Sequence, residues 1–330
     1  GVETAAKSFL NYSSKKFIFK VIFLRIRKLD NPLFSYFSSM KKVFNEKPDI
    51  ILTSLWKSNL MTLLYKIFYP NMKYILFIHS TKNKHFLDKF ISSFAALYAY
   101  EIWADAQYSL EERLKTLYFS NYKKCNFLKK KQKRVISFVT EKLVPICTKK
   151  CFPSFIYWGR LSSEKNIDKA IQIFSKICKI KPKSTFIIIG PDYGVKEYLN
   201  SKIIKINLSK NVFIYDYMNF QEIKRYAKIS SFFIQLSSYE GMAMSVSESM
   251  QLGLVPVVTP VGQIRFYCKN MQNSLIYNDD DEEIISNISS LISSPEIFEK
   301  IRNNAIKTWQ STNIYRLDII SALDQLIKSI

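Results

Sequence analysis

With 330 residues and 48% hydrophobic content the chain is long enough for two domains, because single cores stop growing at about 250–300 residues. The formal net charge of +22 points to an anionic partner such as nucleic acid, an acidic membrane surface or a phosphorylated substrate; compositional drift in a chain rich in Lys, Ile, Asn, Phe and Tyr is the alternative source of the lysines. Five scattered cysteines argue against a disulfide framework, Cys147 and Cys151 lack further ligands for a zinc site, and no run of about 18 uncharged apolar residues offers a membrane span.

In chain order, residues 1–10 read as a tight turn running into a short helix. Gly1 in place of Met is expected to mean that an N-terminal piece is missing. Residues 17–26 have a strand-like pattern and 33–45 a helical one. Pro48-Asp49 precedes a short buried strand at 50–52. Helix 56–68, strand 74–78 ending in His79-Ser80, and helix 86–100 follow, then 102–104 leading into Asp105. Ser109 and Glu112 have capping-box spacing at the start of a helix over 109–118. Residues 121–150 are a basic, polar linker: 129–134 read as a solvated loop, with phosphate or lipid-headgroup contact as the alternative, before a short strand at 135–138. The second half resumes the alternation with strands at 155–158, 185–189, 212–215 and 232–236. Helices occupy 166–180, 195–205 and 221–227, and three more lie beyond residue 281. Strands alternating with helices predict βαβ units, hence an α/β fold with parallel sheets.

One stretch concentrates the chemistry: residues 237–262, SSYEGMAMSVSESMQLGLVPVVTPVG. It holds three of the seven glycines (Gly241, Gly253, Gly262) and two glutamates, Glu240 and Glu248, with seven residues between them. A strand ends just before it, and ligands of open α/β sheets bind outside the carboxyl ends of strands. The amides after Gly241 are expected to open a helix, whose N-terminus favours phosphate or a polar sugar. Glu240 then points at a sugar, and Glu248, further along the helix, accepts hydrogen bonds from a ribose diol. A solvated helix also carries glutamates at this separation. The second cluster is YWGRLSSEKN at 157–166. Gly159 at a strand end brings backbone close to a ligand, and Arg160 and Lys165 flank a turn where they can converge on a diphosphate.

Together these residues resemble the donor domain of the retaining GT-B glycosyltransferases of family 4. The resemblance rests on Gly159-Arg160, Glu164-Lys165-Asn166, Gly190, Glu240-x7-Glu248 with Gly241, and Gly253-x-x-Pro256-Val257-Val258 with Gly262. It covers about a third of the chain at motif level, and the wording of the stretch looks most like bacterial enzymes of O-antigen or capsule synthesis. The resemblance implies two Rossmann-like domains facing a cleft: residues 1–148 for the acceptor, with the first strand missing, and 149–312 for the nucleotide sugar. Residues 313–330 would form a helix packing back on the first domain. It implies that Arg160 and Lys165 hold the diphosphate and stabilise the leaving nucleotide, and that Glu240 binds the donor sugar with help from the amides of Gly241, Met242 and Ala243. Glu248 would bind the ribose and His79 would face the sugar. Gly159, Gly190 and Asp216 would line the donor site, and Gly1 would belong to the glycine-rich turn after the missing strand. Departures are Gly262-Gln263 where the family has Gly-Gly, and Asp216 where glycine is common.

The expected reaction is retaining transfer of a hexose or N-acetylhexosamine from a nucleotide sugar to a glycan or polyprenyl-diphosphate-linked acceptor. No metal or other cofactor is expected, since Asp279, Asp280, Asp281, Glu282 and Glu283 read as a solvated loop or helix start. The expected location is cytoplasmic, with possible docking on an anionic membrane face. The alternatives are a sugar-nucleotide epimerase on the same scaffold and a basic nucleic-acid-binding protein. The latter is disfavoured because no reader motif is present and the basic residues are dispersed.

Overall fold

The computed structural model describes residues 2–10, 12, 16–24, 32–118, 128, 130–146 and 153–328. The chain divides into two compact units, residues 1–140 with 313–330, and residues 141–312. Both are α/β with parallel sheets.

The first unit holds a four-stranded sheet in the order β1 (Ile50–Ser54), β2 (Lys73–Ile78), β3 (Glu101–Ala104), β4 (Gln132–Val135), every pair parallel. Alternation along β2 explains its burial on both faces. Tyr74, Leu76 and Ile78 join a cluster with Met61, Tyr65, Ala95 and Leu110 from the helices Trp56–Phe68, Phe86–Tyr98 and Gln107–Thr116. Ile75 and Phe77 face the opposite cluster, closed by Tyr315, Ile319, Leu323 and Leu326 of the helix Tyr315–Lys328. A parallel sheet needs such cover on both sides.

Three expectations change here. The basic run is not a loop: β4 begins at Gln132 and pairs with β3, so Lys133 and Arg134 sit in an edge strand. Lysine and arginine suit an edge because they discourage pairing with another chain. Arg134 is also fixed by Glu101, which is 1% exposed, through Nε donating to Oε2 at 2.7 Å. Burial, with Lys66 nearby, pulls the Lys131 ammonium down to about 8. Ser109 is not an N-cap: its helix starts at Gln107, and Ser109 is a buried residue of the first turn. Residues 17–24 form no named strand. Phe17, Phe19 and Val21 instead pack on one core cluster and Ile22 and Leu24 on the other. Residues 25–26, Gly1, Cys125, Cys147 and Cys151 lie outside the described residues.

The second unit holds six parallel strands in the order β10-β9-β8-β5-β6-β7. They are β5 (Ser154–Trp158), β6 (Thr185–Ile189), β7 (Val212–Tyr215), β8 (Phe232–Gln235), β9 (Val255–Val258) and β10 (Leu275–Ile276). Read from β7, this is the 3-2-1-4-5-6 order of the Rossmann fold, and the chain reverses direction of winding between β5 and β8. The predicted apolar face of the helix Ile167–Ile180 (Ile167, Ala170, Ile171, Phe174, Ile177) is buried in the core of this unit. Asp280 caps the helix Asp281–Ser293 by accepting from the amides of Glu282 and Glu283, so the acidic run is a helix start.

Candidate active site

The switch point of the second unit sets β5 beside β8, and the two chemically loaded stretches are the loops that leave these strands. Backbone joins them: Ser238 N–H donates to Glu164 O at 2.9 Å, and Asn166 Nδ2 donates to Leu236 O at 3.0 Å. Asn166 adopts φ 47°, a left-handed conformation that asparagine tolerates, and so turns the chain from the short 3-10 turn Ser163–Lys165 into the following helix.

Within this frame Lys165 and Glu240 meet. Lys165 Nζ donates to Glu240 Oε1 at 2.5 Å, with side-chain exposures of 11% and 9%. The same Oε1 accepts from Gln235 Nε2 and Ser237 Oγ, each at 2.7 Å. Ser245 Oγ in turn donates to Gln235 Oε1 at 2.7 Å. Three donors on one oxygen fix the carboxylate, and among the described residues Oε2 has no partner. Arg160 is different. It is exposed, pairs with Glu164 at 3.4 Å and lies over the Tyr193 ring at 5.5 Å. An exposed pair of this kind is worth only about 0–1 kcal/mol, so the guanidinium can exchange partners.

The helix expected after Gly241 begins at Met244 and runs to Leu252. Gly241, Met242 and Ala243 are its approach, and Ala243 takes φ 54°, a strained value for a residue with a Cβ. Tyr267 steadies this turn, its hydroxyl donating to Met242 O at 3.0 Å. Glu248 lies on the helix itself, half-buried, and accepts from the Trp158 indole N–H at 3.0 Å. Burial pushes its carboxyl above the usual range, an effect that the Trp158 bond partly offsets.

The glycines have separate reasons. A Cβ on Gly190 would fall 1.7 Å from the Gly159 carbonyl oxygen, so the ends of β5 and β6 need a glycine to approach. One on Gly262, at φ 56°, would fall 2.2 Å from the Glu240 carbonyl oxygen. The loop after β9 therefore presses directly on the backbone of the glutamate. Gln263, in place of a second glycine, keeps this contact: it has φ −76°, open to any residue, and its N–H donates to Gly241 O at 2.9 Å. Asp216, just past β7, pairs with Lys196 at 2.6 Å and is exposed.

His79 belongs to the first unit, just beyond β2. Its ring stacks on Phe77 at 4.3 Å. Nδ1 lies 3.1 Å from Asp105 Oδ2, just beyond β3, and Nε2 lies 3.0 Å from Ser54 Oγ, at the end of β1. Gln235, Ser237, Trp158, Ser54 and Asp105 carry no assigned role in the sequence motifs. Each stands at or next to a strand end, and polar residues closing otherwise apolar strands (FFIQ, EIWA then Asp) are the signal that marks them. Among the described residues no three His, Cys, Asp or Glu side chains group as metal ligands.

Residues 148–308 match the family model described as Glycosyl transferases group 1. The alpha-monoglucosyldiacylglycerol synthase of Acholeplasma laidlawii is 26% identical over 147 residues, 44% of this chain and 36% of the relative. The GDP-mannose:cellobiosyl-diphosphopolyprenol alpha-mannosyltransferase of Xanthomonas oryzae pv. oryzae (strain PXO99A) is 23% identical over 140 residues, 42% of this chain and 37% of the relative. These alignments thus span little more than a third of the relatives' own lengths. The sucrose-phosphate synthase structure from Thermosynechococcus elongatus superposes with a TM-score of 0.73 at 15% identity, covering 91% of this chain and 79% of that one. Over residues 148–308 the chain is thus similar to the Glycosyl transferases group 1 family, and its α/β fold with parallel sheets is the one seen in solved GT-B structures.

Proposed function

We propose that the protein is a retaining glycosyltransferase that moves a hexose or N-acetylhexosamine from a nucleotide-diphosphate sugar to a glycan or lipid-linked acceptor. The observation that carries this reading is the convergence of Lys165 and Glu240 where the loops after β5 and β8 meet, with Arg160 and Glu248 on the same two segments. An ammonium has three donors. Lys165 can remain on Glu240 Oε1 and still donate to a phosphate oxygen, while Arg160 leaves Glu164 to clamp the diphosphate. The two cations there would stabilise charge that develops on the departing nucleotide, Lys165 held in place and Arg160 recruited by the ligand, the electrostatic contribution that usually dominates such steps. Glu240 Oε2 would accept from a hydroxyl of the donor sugar. Glu248 would exchange the Trp158 indole for the ribose diol. In this reading Arg160, Lys165 and the amides before Met244 do the electrostatic work, and no metal is called for.

Retention would follow from attack on the face from which the diphosphate leaves, the phosphate taking the proton of the acceptor hydroxyl. The names of both relatives support a lipid-linked acceptor, one a diacylglycerol product and the other a diphosphopolyprenol substrate. A place in bacterial surface polysaccharide or glycolipid synthesis follows on this reading. No helix among the described residues is long and apolar enough to cross a membrane. The packed helices Trp56–Phe68 and Phe86–Tyr98 instead leave Ile67, Phe68, Phe86, Leu87, Phe90 and Tyr98 exposed. Exposed aromatic and apolar side chains of this kind, in a chain of net charge +22, suit docking on an anionic bilayer. Sedimentation with anionic vesicles tests the docking; equal recovery in the supernatant with anionic and neutral lipid would refute it.

The transfer itself is tested by incubating a panel of nucleotide sugars with polyprenyl-diphosphate and diacylglycerol acceptors. Labelled sugar in the lipid fraction supports the proposal, and isomerised nucleotide sugar without transfer would favour an epimerase.

A further inference from the structure

At the amino ends of β2, β3 and β4, the opposite side of the sheet from Ser54, His79 and Asp105, lies an open cleft of about 480 Å³. Three lysines line it. Lys66 comes from the last turn of the helix Trp56–Phe68, Lys73 opens β2, and Lys131 immediately precedes β4. All three are half-buried and belong to the first unit. Among the described residues no carboxylate lines the cleft.

The lysines are held where they are. Lys66 Nζ donates to Pro70 O at 2.8 Å and to Met72 O at 2.9 Å. Lys131 Nζ donates to Ala99 O, and Lys73 Nζ lies over the Tyr100 ring at 4.4 Å. An ammonium has three hydrogens, so Lys66 keeps one beyond its two carbonyls. Two helices end here, at Phe68 and Tyr98, and a helix C-terminus favours a cation. That attraction accounts for one lysine but does not offset three. Burial, and then Lys66, hold Lys131 down at about 8, and burial, and then Lys73, lower Lys66. Such a cluster is short of negative charge. A phosphate monoester carries about −1.5 to −2 charges at neutral pH and three strong acceptor oxygens, which suits three converging ammonium groups.

We propose that this cleft is a binding site for a phosphate group, held between Lys66, Lys73 and Lys131. Ligands of open α/β sheets bind at the carboxyl ends of the strands, so a site at the amino ends is separate from the candidate active site, and binding there is independent of sugar transfer. A soluble phosphate ester and a phosphatidate headgroup offer the same chemistry.

Inorganic phosphate and glycerol 3-phosphate, titrated into the full chain at constant ionic strength, should raise Tm saturably. Lys131→Met and Lys73→Met should each weaken the apparent affinity about 10-fold or more, the scale of one charge-assisted hydrogen bond. Arg160→Ala, in the second unit, should retain it. Lys131→Met without ligand should be no less stable than wild type, because the charge it removes is disfavoured by its surroundings. Flotation with phosphatidylcholine vesicles, with and without phosphatidic acid, separates the two sources. Capture on phosphatidic acid that Lys131→Met loses assigns a lipid headgroup, whereas a Tm shift with the soluble ligands and no such capture assigns a free phosphate ester. A wild-type Tm unmoved by either soluble ligand, together with vesicle capture that Lys131→Met leaves unaltered, overturns the proposal. So does a phosphate shift that Arg160→Ala abolishes and Lys131→Met retains, or a Lys131→Met protein that loses stability and keeps its phosphate affinity.

Discussion

Replacing Glu240 separates its structural work from the catalytic work proposed for it. Its Oε1 accepts from Lys165, Gln235 and Ser237, and the residue is 8% exposed. Glu240→Gln keeps an acceptor for all three donors but removes the negative charge. Hydrogen bonds to a charged group contribute about 1 kcal/mol more than neutral ones. With the loss of the counter-charge to a mostly buried ammonium, the folding cost comes to about 1–3 kcal/mol. Glu240→Ala leaves an ammonium, an amide and a hydroxyl unaccepted. Removing one partner of a buried pair costs about 3–5 kcal/mol, which at ~2–4 °C per kcal/mol lowers Tm by roughly 10 °C. On the proposed function, loss of a charge-assisted bond to a sugar hydroxyl, about 1.5–3 kcal/mol, predicts a fall in kcat/KM of about 10–150-fold in the folded Gln variant. Differential scanning fluorimetry and a nucleotide-release assay on both variants read the two effects. A Gln variant with wild-type kcat/KM, or an Ala variant as stable as wild type, would refute the reasoning.

Other substitutions probe the frame around that pair. Glu248 has a folded-state carboxyl raised by burial, so its stabilising contribution is complete below the ~4.3 of an unfolded glutamate and is lost as pH rises through the higher folded value. Glu248→Gln should therefore resist urea better than wild type at neutral pH, with the gap closing as pH is lowered toward 4, while nucleotide affinity falls; a less stable variant at neutral pH would contradict this. Gly190→Ala must place a Cβ 1.7 Å from the Gly159 carbonyl oxygen, and the β5–β6 ends must separate to accept it. Urea titration should show a loss of about 3 kcal/mol, at the upper end for overpacking. Arg134→Met strands Glu101, 1% exposed, with the Trp103 indole N–H still donating to it at 2.6 Å. A cost of about 3–5 kcal/mol is expected in the same assay, and a neutral result would show that Glu101 does not depend on the edge strand.

Much of this was readable in the sequence because glycine is rare in the chain. Gly190 and Gly262 each stand where a neighbouring backbone leaves no room for a Cβ, and one on Gly159 would meet the Tyr157 hydroxyl at 2.8 Å, so these positions outline the loops. The strand–helix alternation gave the parallel α/β fold for the same reason that β2 and β5 are apolar on both faces. Edges and polar partners were less legible. The run ending in Lys133-Arg134 has the composition of a loop, and only its pairing with β3, which brings Arg134 to Glu101, makes it a strand. Arg160 and Lys165 looked equivalent as cations, yet one is exposed and loosely paired and the other is buried on Glu240. That difference depends on Gln235 and Ser237 arriving from β8, which residue spacing does not encode. The Ser54–His79–Asp105 line was hidden for a related reason, since its members are adjacent only because their strands are neighbours.

On the proposed function, the loops after β5 and β8 hold a nucleoside diphosphate between Arg160, Lys165 and Glu248. Isothermal titration of the wild type, Arg160→Ala and Glu248→Gln with UDP, GDP and ADP tests it most directly. Saturable binding of at least one of these by the wild type is the expected result. Each substitution should weaken it by about 1–3 kcal/mol, which is about 5–150-fold in Kd. The absence of saturable binding at millimolar nucleotide, or binding that neither substitution alters, would contradict it.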